Sequence, residues 1–166
     1  PFFKNKVTAV VGSANAAFET AKYLSTICKK VYMFVRSAQL GADPVLSDEV
    51  KQSANVEIIL NASVKEIKGG KKVESVILSV GSEEKEVALD GLFIDVGYAL
   101  DTAFIKDFVK TDERGFIVID NENKTSVDGV FGAGDVTTVP FKQTVIAAGE
   151  GAKAALSAVR WIKTLK

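Results

Sequence analysis

Short apolar runs alternate with a helical pattern in the first part of the chain. Apolar residues, many of them β-branched, fill Lys6 to Val11, and Asn15 to Ile27 then carries apolar side chains at helical spacing. A second apolar run follows at Val31 to Val35. This order predicts a βαβ unit, in which two parallel strands are joined by a crossover helix.

The next segment predicts one more helix and one more strand. Asp43 to Gln52 begins as a loop and becomes a helix, with Ser47 as its cap and Val50 facing inward. Val56 to Leu60 is a third apolar run of strand length. Together with the βαβ unit, this segment indicates an α/β fold with a Rossmann-like arrangement.

Three strand-like runs then follow one another closely. They are separated by the turn pairs Gly69-Gly70 and Gly81-Ser82, which favour hairpins. We therefore predict an antiparallel meander, which would add a third layer to the α/β fold. The runs are Val64 to Ile67, Val73 to Val80 and Lys85 to Leu89.

The last part of the chain has weaker patterns and one long helix. Leu92 to Val96 predicts a strand leading into Gly97, and Asp101 to Val109 is weakly helical. We predict two domains, 1–102 and 103–166. The second would hold two strands, Phe116 to Asp120 and Gly129 to Phe131, and a helix over Lys142 to Ile162 with an apolar stripe at Val145, Ala148, Ala152, Ala155, Val159 and Ile162.

Composition narrows the function. Lys plus Arg number 21 and Asp plus Glu number 21, so no net charge draws the chain to nucleic acid or anionic lipid. Histidine is absent and Cys28, which we expect to be a core residue, is the single cysteine. An internal disulfide, a Cys-x-x-Cys pair and a cysteine-rich zinc site are thereby excluded within these residues. Any catalysis here must use a cofactor.

The same composition bears on location. The apolar stretches are too short for a membrane-spanning helix, and no signal-peptide pattern opens the sequence. We expect a soluble, cytoplasmic protein that binds neither membrane nor nucleic acid. We expect Pro1 to mark a processing boundary.

The turn after the first strand has the position and part of the pattern of a dinucleotide-binding motif. Gly12, Ser13, Ala14, Asn15 and Ala16 are followed by Ala17, which fits G-x-G-x-x-G/A except that Ala14 replaces the middle glycine. The helix that begins here would offer unpaired N–H groups to a pyrophosphate. An ordinary strand-to-helix turn is the alternative.

Arg36 stands at the end of the second predicted strand. At this place such folds carry an acidic residue for the ribose of NAD or an arginine for the 2′-phosphate of NADP. No carboxylate ends the strand, so the sequence favours NADPH over NADH. A solvated surface arginine is the alternative.

Two stretches carry a family resemblance. The chain resembles the low-molecular-weight thioredoxin reductases in its first residues, Phe2 to Lys6 and Ala9 to Gly12. A second stretch, Thr125 to Val136, is similar to the "TSVPGVFAAGDV" signature of that family. The resemblance covers nearly the whole chain. It implies that Gly134 and Asp135 contact FAD, that Lys142, Gln143 and Thr144 begin the helix that faces the flavin, and that Glu19 and Gly97 belong to the nicotinamide nucleotide site.

The resemblance also implies a function for a longer parent protein. The 1–102 domain would bind NADPH or NADH, and 103–166 would be the C-terminal part of an FAD-binding domain. The parent would pass a hydride to FAD and then electrons to a Cys-x-x-Cys pair upstream of Pro1, which reduces thioredoxin or a similar disulfide protein. We expect a homodimeric parent, a hinge at 97–102, and no activity from this chain alone.

Two departures keep other functions open. This chain has Ala14 where the family has the second glycine of its nucleotide turn. Of the arginines in the family's "HRRxxxR" motif, the corresponding segment of this chain, Val35 to Gly41, keeps only Arg36. One alternative is a ferredoxin–NADP reductase of the same fold, which lacks the cysteine pair. The other is a nucleotide-binding or scaffold fragment that catalyses no reaction. If neither nicotinamide cofactor raised the melting temperature of the chain, that result would support this alternative.

Overall fold

The computed structural model describes residues 2–97 and 100–165. The chain divides into two compact units, Pro1–Gly97 and Tyr98–Lys166. Tyr98 and Ala99, which belong to the predicted hinge, lie outside the described residues, as does Pro1.

The first unit contains seven strands and two helices in its described residues. Their order is that of a βαβ unit followed by a second helix, a third strand, a meander and a last strand. The bounds are β1 Val7–Val11, α1 Asn15–Ser25, β2 Lys30–Val35, α2 Pro44–Lys51, β3 Val56–Leu60, β4 Ala62–Lys68, β5 Ser75–Val80, β6 Glu83–Ala88 and β7 Gly91–Ile94.

The central layer is a parallel sheet of order β3-β2-β1-β7. β1 pairs with β2 on one side and with β7 on the other, both in parallel register. One face of this sheet packs against α1 and α2, where Val10, Met33 and Phe18 are fully buried. Cys28 lies in the same core and its thiol accepts a hydrogen bond from the hydroxyl of Thr8 at 3.4 Å, so it is a core residue as predicted.

The other face of the parallel sheet packs against the meander. β4, β5 and β6 form an antiparallel sheet, and Val76 and Leu78 of β5 are buried against Ala9 and Phe34. The three layers are therefore helices, parallel sheet and meander. The predicted α/β fold with a Rossmann-like three-layer domain and antiparallel meander is confirmed.

The second helix begins earlier than the sequence indicated. Its cap is Asp43 and its first residue is Pro44, whose fixed φ suits that position. The prediction of Ser47 as the cap is wrong, because Ser47 lies inside the helix and its hydroxyl donates back to the carbonyl of Pro44 at 3.0 Å. Val50 is buried, as predicted.

The second unit is mostly irregular except for one helix. α3 extends over Thr144–Thr164, close to the predicted 142–162. The weak helix predicted at 101–109 is wrong, because the chain there makes only successive turns. The strands predicted at 116–120 and 129–131 are also wrong, because these segments form only isolated bridges, Ile117 with Thr137 and Lys124 with Phe131.

α3 packs weakly along most of its length. Of its residues only Ser157 is buried, and Val145 and Ile162 of the predicted apolar stripe are 78% and 52% exposed. Its C-terminal half meets the rest of the unit at Trp161, whose ring fills the space beside Gly129. No helix of the described residues is long and apolar enough to cross a bilayer.

Candidate functional site

Gly12 joins β1 to α1 in a conformation that requires glycine. Its φ is +152°, and a Cβ here would overlap the carbonyl oxygen of Asp95 and lie 2.7 Å from the Cβ of Ala17. The first and last small residues of the predicted motif thus meet, which lets α1 approach the sheet closely. The strand, turn and helix have the geometry of a dinucleotide-binding motif.

The first turn of α1 is open to a ligand. Ala14 is the cap residue and makes no side-chain hydrogen bond to the helix, and no acidic residue lies in the first turn. Ala14, Asn15 and Ala16 are exposed. The N–H groups at this end have no partner within the helix and carry the positive end of its dipole, so they suit a phosphate.

The loop after β2 holds this turn in place. The side chain of Asn15 donates to the carboxylate of Asp43 at 2.8 Å and accepts the backbone N–H of Asp43 at 2.8 Å. The N–H of Gly41 donates to the carbonyl of Ser13 at 2.8 Å. The side chain of Asn15 is therefore bonded to the loop. The backbone N–H of Asn15, in the first turn of α1, could bind an anion.

Arg36 directly follows β2 and is exposed. β2 lies beside β1, so Arg36 stands at the same edge of the sheet as Gly12. This is where a parallel α/β sheet binds the adenosine half of a dinucleotide.

Glu19 lies on α1 one turn after Asn15 and is exposed. It borders a cavity of about 480 Å³ together with Tyr23, Phe3 and Phe93, a residue of β7. Gly97, which follows β7, is exposed and has a φ of +92°. Glu19 and Gly97 are thus on the β7 side of Gly12, opposite Arg36.

Asp95 is a residue of this region that the sequence analysis missed. It follows β7, and its N–H donates to the carbonyl of Val11 at 2.8 Å. Its Oδ2 atom is buried and has no hydrogen-bond partner among the described residues. A lone carboxylate that ends the apolar run Leu92 to Ile94 was the available signal.

In the second unit, Gly134 and Asp135 form a tight turn against α3. Gly134 has a φ of +76°, and a Cβ on it would lie 3.3 Å from the Cβ of Ala147. The carbonyl of Gly134 accepts the N–H of Thr137 at 3.0 Å and its hydroxyl at 2.8 Å. The turn therefore holds Asp135, which is half-buried, beside the first turn of α3.

The start of α3 is joined to the same turn. The ammonium of Lys142 donates to the carbonyl of Thr137 at 2.5 Å and lies 4.1 Å from the centroid of the Phe116 ring. Gln143 is the cap residue of α3, makes no side-chain hydrogen bond to it, and is exposed like Thr144. All five residues predicted for the FAD site, two on the turn and three at the start of the helix, are thus brought together at one end of α3.

Asn123 is a second residue that the sequence analysis missed. It is fully buried with a φ of +62°, and its amide donates to the carbonyl of Gly132 at 2.7 Å and to Glu150 at 2.6 Å. The hydrogen bond from Asn123, and then that from Lys153, lowers the pKa of the Glu150 carboxyl. Asn123 therefore ties the 123–132 loop to α3.

No group of three or more His, Cys, Asp or Glu side chains within residues 2–97 and 100–165 could hold a metal ion.

The arrangement agrees with a family match. Residues 2–151 match the family model described as pyridine nucleotide-disulphide oxidoreductase. The chain belongs to the pyridine nucleotide-disulphide oxidoreductase family. Proteins of this family use FAD and NAD(P)H.

Similar members of the family include the F subunits of bacterial alkyl hydroperoxide reductases. That of Pseudomonas putida is 44% identical over 161 residues, which is 95% of this chain and 31% of the relative. That of Escherichia coli is 41% identical over 165 residues, which is 98% of this chain and 32% of the relative.

Solved structures similar to the chain include thioredoxin reductases. The enzyme of Lactococcus lactis matches with a TM-score of 0.87 and 32% identity. The match covers 98% of this chain and 55% of the Lactococcus lactis chain. That of T. acidophilum has a TM-score of 0.84 and 38% identity, with coverage of 99% and 55%. The resemblance to thioredoxin reductases predicted from the sequence is confirmed.

The chain spans about a third of the length of the alkyl hydroperoxide reductase relatives and about half of the solved thioredoxin reductases. The family match and the similar structures show the pyridine nucleotide-disulphide oxidoreductase fold for this part of the longer relatives. The roles of its individual site residues stay predictions.

Proposed function

We propose that the first unit binds a nicotinamide dinucleotide across the end of its parallel sheet. The observation that carries this proposal is the Gly12 turn, whose φ and contacts exclude a side chain and which leads into an uncapped helix. In this proposal Gly12 to Ala16 hold the pyrophosphate, Arg36 contacts the adenosine half, and Glu19 and Gly97 lie near the nicotinamide.

The second unit would supply one side of an FAD site. Gly134 has a left-handed φ that favours glycine and lies close to Ala147, and the start of α3 carries the positive end of a helix dipole. The residues present therefore fit a flavin nucleotide. Asp135 would accept a hydrogen bond from a hydroxyl of FAD, while Gln143 would donate one from its side-chain amide.

The whole protein would then be an oxidoreductase that moves electrons from NADPH or NADH through FAD to a disulfide protein. FAD, when bound, accepts the hydride and passes electrons on. The residues of this chain bind and orient the two cofactors. The family match and the solved thioredoxin reductases support thioredoxin, or a similar small disulfide protein, as the acceptor.

A second candidate is the flavoprotein part of an alkyl hydroperoxide reductase. The two alkyl hydroperoxide reductase relatives are 41% and 44% identical to this chain, against 32% and 38% for the two thioredoxin reductases. In either case the chain contributes the same cofactor-binding elements. A ferredoxin–NADP reductase remains a further alternative, and the homodimer, the hinge and the cytoplasmic location stay predictions.

Replacement of Ala14 tests the nucleotide site. Ala14→Gly restores the middle glycine of the motif and places a better cap residue before α1. We expect NADPH and NADH to bind more tightly, by about threefold to tenfold, when titrated into the chain by calorimetry. Unchanged affinity would show that this turn does not hold the pyrophosphate.

Arg36→Ala is the matched test of nucleotide choice. We expect it to weaken NADPH and to leave NADH nearly unchanged, because only NADPH carries the 2′-phosphate. Equal effects on both would contradict the role of Arg36. A wild-type chain that binds neither nucleotide would favour the non-catalytic fragment.

A further inference from the structure

The feature that the proposed function leaves unused is the pair of hydrogen bonds between Asn15 and Asp43. The amide of Asn15 donates to the carboxylate of Asp43 at 2.8 Å, and its oxygen accepts the backbone N–H of Asp43, also at 2.8 Å. Asn15 begins α1 directly after the Gly12 turn, whereas Asp43 ends the loop that follows β2. The pair therefore joins the two segments that the proposed nucleotide would contact.

The carboxylate of Asp43 makes this contact in place of its usual one. Asp43 is the cap residue of α2 but makes no side-chain hydrogen bond to that helix. An aspartate at this position usually accepts a backbone N–H of the first turn and so stabilises the helix. Here its carboxylate accepts from Asn15 instead. The observed bonding thus favours the contact between the two segments over the start of α2.

The segment from Arg36 to Asp43 carries the proposed adenosine contact, and we call it the adenosine loop. It forms neither helix nor strand. The N–H of Gly41, which donates to the carbonyl of Ser13, is a further link between this loop and the Gly12 turn. Gly12 itself is fixed by its close packing within the first unit. The turn is therefore the fixed partner, and the loop is the part that these bonds position.

We propose that Asp43 is a positioning residue, which acts through Asn15 to align the adenosine loop with the Gly12 turn. This inference rests on the proposed nucleotide site of the first unit. A ligand that contacts both segments then finds them already aligned, so that less conformational freedom of the protein is lost on binding. A ligand that contacts only the turn gains nothing from the pair.

The test compares a ligand that contacts both segments with one that contacts only the turn. ADP contains the adenosine and both phosphates, whereas inorganic pyrophosphate lacks the adenosine. For Asp43→Ala we expect ADP and NADH to bind about 3- to 10-fold more weakly by calorimetry. The affinity of pyrophosphate, measured by competition with NADH, should be unchanged. A purely structural role would lower the melting temperature without this difference between the ligands.

Two further variants separate the hydrogen bonds from the negative charge of Asp43. Asp43→Asn keeps an oxygen for the amide of Asn15 and keeps the backbone N–H, so ADP should bind as tightly as to the wild type. Asn15→Ala removes both hydrogen bonds and should weaken ADP at least as much as Asp43→Ala. The double variant should lose no more than Asn15→Ala alone, because the effects of two residues that act as a pair are not additive.

Glu49→Ala is the control variant. Glu49 of α2 forms an ion pair of 2.6 Å with Lys22 of α1, so it also links the two helices. Lys22 lies about two helical turns after Asn15, away from the Gly12 turn. We expect the affinities of this variant for ADP and pyrophosphate to equal those of the wild type. The melting temperature without ligand is recorded for every variant.

Other results would overturn the proposal. An equal loss for pyrophosphate in Asp43→Ala would mean that the pair only supports the turn, and an equal loss in Glu49→Ala would mean that any loosening of α1 from α2 has this effect. Additive losses in the double variant would show that Asn15 and Asp43 act separately. A wild-type chain that binds neither ADP nor NADH contradicts the proposed function as well, whereas ADP binding that Asp43→Ala leaves unchanged contradicts this proposal alone.

Discussion

At the scale of single residues, Gly12 combines two constraints that a sequence motif expresses as one letter. Its φ of +152° is unfavourable for any side chain, and its neighbours Asp95 and Ala17 leave no room for one. The turn is thus fixed both by its own backbone and by the close packing of α1. The same pair of constraints makes its replacement informative.

We predict that Gly12→Ala destabilises the first unit by about 2 to 5 kcal/mol, because backbone strain and overpacking add. Chemical denaturation followed by circular dichroism measures the loss. Gly70→Ala is the control, since nothing lies within 4 Å of its added Cβ and its φ is not left-handed. A Gly12→Ala variant as stable as the control would mean that the turn yields at little cost.

Asn123 shows a constraint that no motif records. Asn123→Gly keeps the left-handed backbone but removes the side-chain amide. The carbonyl of Gly132 and the carboxylate of Glu150 then lose a hydrogen-bond donor. We predict that this variant lowers the free energy of unfolding by about 1 to 3 kcal/mol at pH 7. Asn121→Gly, an exposed residue of the same turn, is the control and should be nearly neutral.

We also expect the effect of Asn123→Gly on the free energy of unfolding to depend on pH. The pKa of Glu150 is lowered in the folded state from an ordinary value of 4.5, so its contribution is present above that value and is lost as the pH falls through the lowered pKa. The difference in unfolding free energy between wild type and Asn123→Gly should therefore shrink in acid. Urea denaturation at neutral pH and below the ordinary value measures it. A constant difference would show that Glu150 is not part of the effect.

At the scale of elements, the regular part of the fold was predictable and the irregular part was not. β1, α1, β2 and β3 match the apolar runs of the sequence, because the strands are covered by a core on each face and α1 packs one side against the sheet. The segments 116–120 and 129–131 are just as apolar. They form isolated bridges because a few turn residues, such as Asn123 and Gly134, decide their path.

The candidate site shows the same division. Gly12 and the Gly134-Asp135 turn follow from motifs, since a special backbone conformation needs glycine there. Asn123 could not be found that way, because its role depends on its burial and on its hydrogen bonds to Gly132 and Glu150. The cap of α2 was misplaced for a related reason: Ser47 is a good cap residue, but Pro44 at the first helical position fixed an earlier start.

Gly129 lies against the ring of Trp161, a residue in the C-terminal half of α3. Gly129 has a φ of +78°, and a Cβ there would lie 2.5 Å from the Trp161 ring. We predict that Gly129→Ala destabilises the second unit by about 2 to 4 kcal/mol and displaces the ring into solvent. Because Trp161 is the only tryptophan in the sequence, its fluorescence reports this change directly.

Gly151→Ala is the matched control for that experiment. Gly151 lies within α3, and nothing lies within 4 Å of its added Cβ. Alanine is favoured over glycine in a helix interior by roughly 0.5 to 1 kcal/mol, so this variant should be slightly more stable with unchanged fluorescence. An unshifted emission maximum in Gly129→Ala would mean that the helix end is held by other contacts.

At the scale of the whole molecule, the two units differ in how fully their candidate sites are enclosed by this chain. The first unit has a parallel sheet with helices on one face and a meander on the other, and all the residues of its proposed nucleotide site belong to that unit. In the second unit, α3 is exposed along most of its length although it is apolar. The residues predicted to face the flavin there lie on one turn and one helix end.

This difference predicts the colour of the purified protein. We expect the 166-residue chain, isolated without added flavin, to show no bound-flavin absorption in its visible spectrum, because one turn and one helix end enclose too little of FAD to retain it. The same sample should still bind NADPH or NADH. A bound-flavin spectrum would contradict the prediction. It would mean that a second copy or another chain completes the FAD site.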